Sequence, residues 1–260
     1  MNYLALDIET IPNQLINPEC MPVFDPEEVK HGNTKDPDKR AAKEAEEKEK
    51  FDRSISKTMS LDPAFCSICT FAACSMSDGK TNWSIKQMSA EDGHDDLAIV
   101  DLAIKTITAA YNTRQPIVTF NGLSFDLSVI LFRAMAQDVH INVPMWQKIT
   151  RKYANPHHYD LMQILSNWDR QRWHKQDFFV NLFGLGKNNF MDGSMVFNAY
   201  KAGEYDKIKD YCQWDVRNLS ALFERVYPWI IVNEKDEGPK PADPEEVERL
   251  SKSFDEAQAE

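Results

Sequence analysis

The sequence predicts an α/β fold, and the order of its predicted elements carries this assignment. An apolar strand lies at residues 3–10, and residues 65–74 and 81–85 form the two strands of a hairpin. Apolar residues at helical spacing over residues 93–111 predict a helix, and residues 116–120 are again a short buried strand. A strand, a hairpin, a helix and a strand in this order favour an α/β sheet with its hairpin at one edge.

The composition is that of a globular protein with one sizeable core. Of the 260 residues, 42% are hydrophobic and 27% are charged. No apolar run reaches the length of about 18 residues that a membrane span needs. The N-terminus has no basic region followed by an apolar one, so we expect no secretory signal. These features predict a cytoplasmic protein with no membrane partner.

The net charge of −11 is unfavourable for a protein that binds nucleic acid, since such proteins usually carry basic surfaces. The charge is unevenly distributed, because residues 234–260 hold ten acids and four bases and thus contribute −6. A metal-dependent nuclease also gathers carboxylates at its site, where bound cations offset them. The acidity disfavours tight, non-specific duplex binding but leaves a nuclease open.

Two carboxylates lie inside the first strand. Asp7 and Glu9 are two residues apart, so they project from one face with Cα atoms about 6.5–7 Å apart. Two unneutralised carboxylates held this close repel each other, and a cation between them removes the conflict. Oxygen ligands suit Mg²⁺ or Mn²⁺, so the strand predicts half of a metal site. A solvated acidic edge strand is the alternative.

A charged insertion at residues 13–60 separates this strand from the hairpin. Residues 13–34 hold three prolines and a glycine and predict a loop. Residues 36–57 alternate acidic and basic side chains with almost no apolar face, which predicts a solvated helix. A solvated arm is the favoured interpretation, and a flap near the substrate is the alternative.

Another acid follows the strand at residues 116–120. Ser124 is an N-cap candidate, which would place Asp126 in the first turn of a helix that ends near Ala136. The helix dipole favours an ionised carboxylate there, at the strand end where α/β sheets bind ligands. A first-turn acid with no further role is the alternative.

The middle of the chain offers weaker signals. Residues 138–160 predict a mixed loop in which His157 and His158 are solvated. Asp160 is favoured as the N-cap of a short helix at residues 161–165.

The later part of the chain contains one basic stretch and one long helix. Residues 169–175 interleave basic and aromatic side chains, which either contact phosphates or form a solvated segment between helices. The glycine loop at residues 183–187 lacks the full P-loop pattern, so we predict no nucleotide cradle. Residues 204–226 predict an amphipathic helix on which Tyr211 and Asp215 lie one turn apart on one face.

Three motifs together resemble the tyrosine branch of the DEDD superfamily of 3′–5′ exonucleases. They are D-x-E at residues 7–9, N-G-x-x-F-D at residues 121–126 and Y-x-x-x-D at residues 211–215. The chain is most similar to the proofreading exonuclease of family B DNA polymerases and to stand-alone relatives of that domain. The histidine branch would carry a histidine where this chain has Asp210, so the resemblance is to the tyrosine branch.

The resemblance implies a ribonuclease H-like fold, a mixed five-stranded sheet with flanking helices whose second strand is antiparallel. It also implies 3′–5′ hydrolysis of single-stranded DNA, in preference to RNA, with release of nucleoside monophosphates. Two divalent cations, Mg²⁺ or Mn²⁺, would serve as cofactors. An RNA-trimming exonuclease and a catalytically silent nucleic-acid-binding module on the same fold are the alternatives. A replication or repair protein would be a partner in trans.

The resemblance further implies a role for each motif residue. The cation ligands would be Asp7, Glu9, Asp126 and Asp215, with Asp7 bridging the two ions. Tyr211 would orient the attacking water, and the terminal nucleotide would contact Thr10, Asn121 and Phe125. We expect the exonuclease domain to span residues 1–230, with the charged helical insertion at 13–60, and residues 231–260 to form an acidic, flexible tail.

Overall fold

The computed structural model describes residues 1–77, 79–153, 155–186 and 191–230, in which helices cover both faces of a five-stranded sheet. The strands are β1 (Tyr3–Pro12), β2 (Cys66–Ser77), β3 (Lys80–Gln87), β4 (Ile117–Thr119) and β5 (His158–Asp160). Their order across the sheet is β3-β2-β1-β4-β5. β2 is antiparallel to β1 and β3, whereas β4 is parallel to β1 and β5. The expected mixed sheet, with its hairpin at one edge, is confirmed.

The described residues form eight α-helices around this sheet. They are α1 (Pro37–Leu61), α2 (Leu97–Asn112), α3 (Asp126–Ala136), α4 (Val143–Ile149), α5 (Leu161–Leu165), α6 (Gln176–Leu182), α7 (Val196–Lys201) and α8 (Tyr205–Ile230). Among these helices, none is long and apolar enough to cross a membrane. The tail predicted at residues 231–260 lies outside the described residues, as does Lys187 of the glycine loop.

The alternation of side chains along β1 divides the interior into two cores. One set packs with residues of α2 and α3, and it consists of Leu4, Leu6 and Ile8. The intervening side chains Tyr3 and Ala5 pack into the second core, against α8. The next two intervening positions of β1 carry its two acids. The carboxylates therefore lie on the face of the sheet that α8 covers.

α1 approaches the sheet with its C-terminal turns. Met59 is the buried residue of this helix, and the hydroxyl of Thr10 in β1 donates a 2.6 Å hydrogen bond to the carbonyl of Ser60. Most other side chains of α1 are exposed, and pairs such as Lys50 with Glu46 connect successive turns. The solvated-arm interpretation fits the N-terminal part of α1, whereas its last turns lie beside β1.

The prediction of a mixed loop over residues 138–160 is wrong, because this segment contains α4 and the edge strand β5. His158 is also buried rather than solvated, with Nδ1 2.9 Å from the carbonyl of Ile149 and Nε2 2.8 Å from Oγ1 of Thr119. Burial lowers the pKa of His158 to about 4, so its ring is neutral at physiological pH. Elements this short show too little periodicity to be found from the sequence.

Candidate active site

Asp7 and Glu9 lie on the central strand of the sheet, which excludes the alternative of a solvated edge strand. β1 is hydrogen-bonded to β2 on one side and to β4 on the other. The exposed fraction of Glu9 is only 8%. A carboxylate oxygen of each acid and the Sγ atom of Cys212 lie within 4.8 Å of one another. The two carboxylates thus meet on one face, as their spacing predicts.

The tight turn between β4 and α3 brings Asp126 to the same place. Asn121 has a positive φ of 69°, and a Cβ atom at Gly122 would lie 2.3 Å from Oγ1 of Thr119. β1 extends past the end of β4, where the amide of Ile8 donates a 3.2 Å hydrogen bond to the Asp126 carboxylate. Close packing of the turn and this hydrogen bond fix Asp126 beside the acids of β1.

Asp160, rather than Ser124, organises this turn. The prediction of Ser124 as the N-cap is wrong, because α3 begins at Asp126 without a side-chain capping bond. The Asp160 carboxylate accepts hydrogen bonds from the amides of Asn121 at 2.9 Å and Leu123 at 3.0 Å. Asp160 also caps α5, as predicted. Its bonds to the neighbouring turn depend on the pairing of β4 with β5, which the sequence did not reveal.

α8 contributes the last acid of the cluster together with a tyrosine. The hydroxyl of Tyr211 donates a hydrogen bond to the carboxylate of Asp215, one turn away as predicted. Gln176 Nε2 donates a 3.0 Å bond to the backbone carbonyl of Asp215. The Cys212 thiol lies 3.6 Å from both the carbonyl and the carboxylate of Asp7 and donates to them. These contacts position α8 against β1 and α6.

Burial raises the pKa of all four acids, and repulsion by other acids of the cluster raises it further for Asp7 and Glu9. Burial is the largest cause for Asp7, followed by the charge of Asp126, and the pKa lies well above its usual range. Burial and then the charge of Asp215 do the same for the pKa of Glu9. Burial raises the pKa of Asp126 and of Asp215 to about 7. In the described part of the chain, no basic side chain lies within 4 Å of these carboxylates.

This cluster has the chemistry of a site for hard divalent cations. Like charges buried together are unfavourable, and a cation among them offsets the repulsion. The donors are carboxylate oxygens, which Mg²⁺ and Mn²⁺ prefer. Burial, followed by the charge of Asp7, raises the pKa of the Cys212 thiol well above its usual value, so the thiol stays protonated. The residues present therefore fit divalent cations held by oxygen atoms.

Of the three residues predicted to contact the nucleotide, only Thr10 lines the cleft above the acids. The hydroxyl of Thr10 is directed to the carbonyl of Ser60, while Thr10 itself borders the cleft above Asp7. Asn121 Oδ1 is buried and has no hydrogen-bond partner among the described residues. Phe125 is partly buried against the core, directly before Asp126. Thr10 thus borders the cleft and Phe125 adjoins Asp126 in the chain, and contact of Thr10, Asn121 or Phe125 with a nucleotide stays a prediction.

A cleft of about 850 Å³ opens above Asp7, Tyr211 and Asp215. Its walls come from the C-terminal half of α1, the start of α6, and α7 with the turn before it. Four basic side chains line these walls, and they are Arg53, Lys57, Lys175 and Lys201. Lys175 belongs to the basic stretch for which phosphate contact was one interpretation. The position of α1 beside the cleft agrees with the alternative of a flap near the substrate rather than with the favoured interpretation of a solvated arm.

Comparison with known proteins places this geometry in context. A family model described as a predicted 3′–5′ exonuclease related to the exonuclease domain of PolB matches residues 60–229. That range contains Asp126, Tyr211 and Asp215 and begins after Asp7 and Glu9. No curated protein matches the sequence.

Among solved structures, the chain resembles the family B DNA polymerase from the hyperthermophilic archaeon Pyrobaculum calidifontis. The match has a TM-score of 0.56 and 18% sequence identity, and it covers 88% of this chain and 25% of the polymerase. The chain thus corresponds to about a quarter of the polymerase's length. At this identity the match concerns the fold, and the expected ribonuclease H-like architecture is confirmed.

Proposed function

The chain belongs to the family of predicted 3′–5′ exonucleases related to the exonuclease domain of PolB, and we propose that its substrate is single-stranded DNA. It is a 3′–5′ exonuclease, and exonucleases of this kind generally use divalent metals. In our proposal Asp7, Glu9, Asp126 and Asp215 hold two such ions, Mg²⁺ or Mn²⁺. The observation that carries the proposal is the clustering of these carboxylates, with Glu9 and Asp126 buried, Asp7 and Asp215 half-buried at the cleft floor, and the pKa of each raised.

The position of each acid suggests its task. Asp7 is repelled most strongly by Asp126 and then by Glu9 and Asp215, which is the position expected of a ligand that bridges two ions. The pair of cations would supply the positive charge that stabilises the attacking and leaving oxygens of an in-line displacement. Hydrolysis of the terminal phosphodiester releases a nucleoside monophosphate.

Tyr211 would orient the attacking water without deprotonating it. Burial and then the charges of Glu9 and Asp215 raise the pKa of Tyr211 above its ordinary value, so the phenol keeps its proton. The hydroxyl uses that proton to donate a hydrogen bond to the carboxylate of Asp215. The lone pairs of the phenol oxygen can then accept a hydrogen bond from water.

The residues at the β4–α3 turn are suited to bind the terminal nucleotide. Asn121 Oδ1 is a buried acceptor that has no partner among the described residues, so a donor on the nucleotide would satisfy it. Phe125 offers an aromatic ring for stacking on a base, which contributes about 1–3 kcal/mol in comparable proteins. Thr10 would contact the same nucleotide from the side of β1.

The test is digestion of 5′-labelled DNA and RNA of one sequence with Mg²⁺ or Mn²⁺. We expect DNA to shorten from its 3′ end faster than RNA, and Asp7→Asn to lower the rate by at least about 100-fold, because a bridging ligand is lost. Asp210→Asn is the control, since this exposed acid precedes Tyr211 on α8.

Three results would contradict this proposal. Intact DNA and RNA with both metals would favour the silent binding module. Faster digestion of RNA would favour an RNA-trimming exonuclease. Nicking of circular single strands at a rate equal to end digestion would indicate an endonuclease.

A further inference from the structure

The C-terminal half of α1 forms one wall of the cleft above the carboxylates. Arg53 and Lys57 are one turn apart on this helix, and both side chains border the cleft. Lys175 and Lys201 border it from α6 and α7. These four basic side chains thus surround the floor of the cleft, which includes Asp7 and Asp215.

This wall is anchored directly beside the acids. The hydroxyl of Thr10 donates to the carbonyl of Ser60, and Thr10 follows Glu9 in β1. Met59 is 4% exposed and secures the same turn of α1 in the interior. A helix is a stiff element, so the side chains one and two turns earlier keep a defined distance from the carboxylates. The fold therefore fixes the positions of Arg53 and Lys57 relative to the carboxylates.

Charges from the two walls act on the same region of the cleft. Hydrogen bonds from Ser194 lower the pKa of Asp192, and the positive charges of Lys175 and then Lys57 lower it further. Asp192 itself lines the cleft. Lys57 from α1 and the lysine before α6 are therefore close enough to act on one anionic group between them.

Three of the four basic residues of the cleft differ from Lys48 and Lys50 on α1 in having no acidic partner among the described residues. Lys48 pairs with Asp52 at 2.8 Å, and Lys50 pairs with Glu46 at 2.8 Å. Within the described residues, by contrast, no acid lies within 4 Å of the ammonium groups of Lys57, Lys175 or Lys201. Arg53 pairs with Glu49 at the surface, an interaction that contributes little and can be exchanged for a phosphate.

We infer that Arg53 and Lys57, facing Lys175 and Lys201, bind the phosphodiester backbone of the strand whose 3′ end lies over the carboxylates. The inference rests on the proposed exonuclease function and adds to it a substrate-binding role for the charged insertion. The family match begins at residue 60, near the end of α1, so the matched region does not include Arg53 or Lys57. This local group of basic side chains would let a chain of net charge −11 bind a polyanion.

The test compares two charge-matched double variants of α1. Arg53→Gln with Lys57→Gln removes the two cleft cations, and Lys48→Gln with Lys50→Gln removes two cations that are 58% and 56% exposed and paired on the helix surface. The substrates are a single-stranded DNA of about 16 nucleotides and a thymidine dinucleotide, which has no upstream phosphates to reach the wall. KM and kcat are measured as a function of salt concentration.

We expect the cleft variant to raise KM for the longer DNA by about tenfold at low salt, with kcat unchanged. The slope of log KM against log salt should fall by about 0.7 for each phosphate that the variant no longer binds. Hydrolysis of the dinucleotide should stay at the wild-type level, and the control variant should match the wild type on both substrates. Equal melting temperatures establish that the variants are folded.

The outcomes separate the inference from the function on which it rests. If the wild type cleaves the longer DNA and the cleft variant cleaves it with the same KM and salt slope, the inference is wrong and the exonuclease proposal stands. An equal loss in both double variants would also overturn it, because the effect would then reflect net charge. A wild type that cleaves neither substrate would overturn the proposed function together with the inference.

Discussion

Tyr211 is the residue whose proposed task follows most directly from its surroundings. Its hydroxyl donates a hydrogen bond to Asp215, and burial, followed by the charges of the acids around it, raises its pKa and keeps the phenol protonated. A group in this state can hold a water molecule in line with the scissile phosphate but cannot act as a base at neutral pH.

Replacing Tyr211 by Phe therefore tests orientation of the water separately from binding of the cations. We expect kcat to fall by about 10- to 100-fold, the range set by the removal of one hydrogen bond to a charged group. KM should change little, since the carboxylates remain. Tyr205→Phe is the control on the same helix, because the Tyr205 hydroxyl accepts a hydrogen bond from the amide of Ala90, outside the acid cluster. An unchanged kcat in Tyr211→Phe would refute the assigned role.

At the residue scale, local spacing predicted much of the cluster. Positions two apart in a strand and four apart in a helix fix relative directions, so the pairs Asp7 with Glu9 and Tyr211 with Asp215 could be foreseen. The bond from the Ile8 amide to Asp126 could not, because it depends on where β4 ends beside β1.

At the scale of elements, the turn between β4 and α3 positions one acid of the site. Gly122 packs against the side chain of Thr119, which has no room to move away because it contacts His158. The amides of Asn121 and Leu123 are held by Asp160. The start of α3, and Asp126 with it, is thereby held from two sides.

Gly122→Ala should displace this turn. The new methyl group would lie 2.3 Å from Oγ1 of Thr119, so we expect a loss of about 1–3 kcal/mol in the free energy of unfolding. The displacement of Asp126 should also lower kcat. Gly193→Ala is the matched control for stability, since nothing lies within 4 Å of its added Cβ. Equal denaturant midpoints for the two variants would show that the turn is not tightly constrained.

α1 illustrates which features of an element cannot be foreseen. Its charge alternation predicted a solvated helix over residues 36–57, and the structure contains a helix there. The docking of its end rests on Met59 and on the bond between Thr10 and Ser60, which are tertiary contacts without a periodic signal. The wall that α1 adds to the cleft therefore emerges only in the folded protein.

At the scale of the whole molecule, the fold gathers four carboxylates, and no basic side chain of the described residues lies within 4 Å of them. The acids come from β1, α3 and α8, and these elements meet only when the sheet and the covering helix are assembled. The five-stranded order could be expected from family resemblance, whereas β5 and α4 were too short to be found in the sequence. The assembled site thus depends both on elements that the sequence predicts and on short elements that it does not reveal.

Protons and metal cations compete for the same carboxylates in this cluster. The folded pKa of Asp126 and of Asp215 is about 7, above the value of an unfolded aspartate. The folded state thus binds more protons than the unfolded state, and the stability from the protonated acids is lost as pH rises through 7. Cations need the deprotonated carboxylates, so their affinity should increase over the same range.

Calorimetric titration of Mn²⁺ into the protein at pH 8 and pH 6 tests the central claim most directly. We predict about two ions per wild-type chain at pH 8, binding at least about tenfold weaker at pH 6, and loss of the tight sites in Asp7→Asn. Absence of binding at pH 8, or equal affinity at both pH values in wild type and Asp7→Asn alike, would contradict the claim that these buried acids form the cation site of the exonuclease.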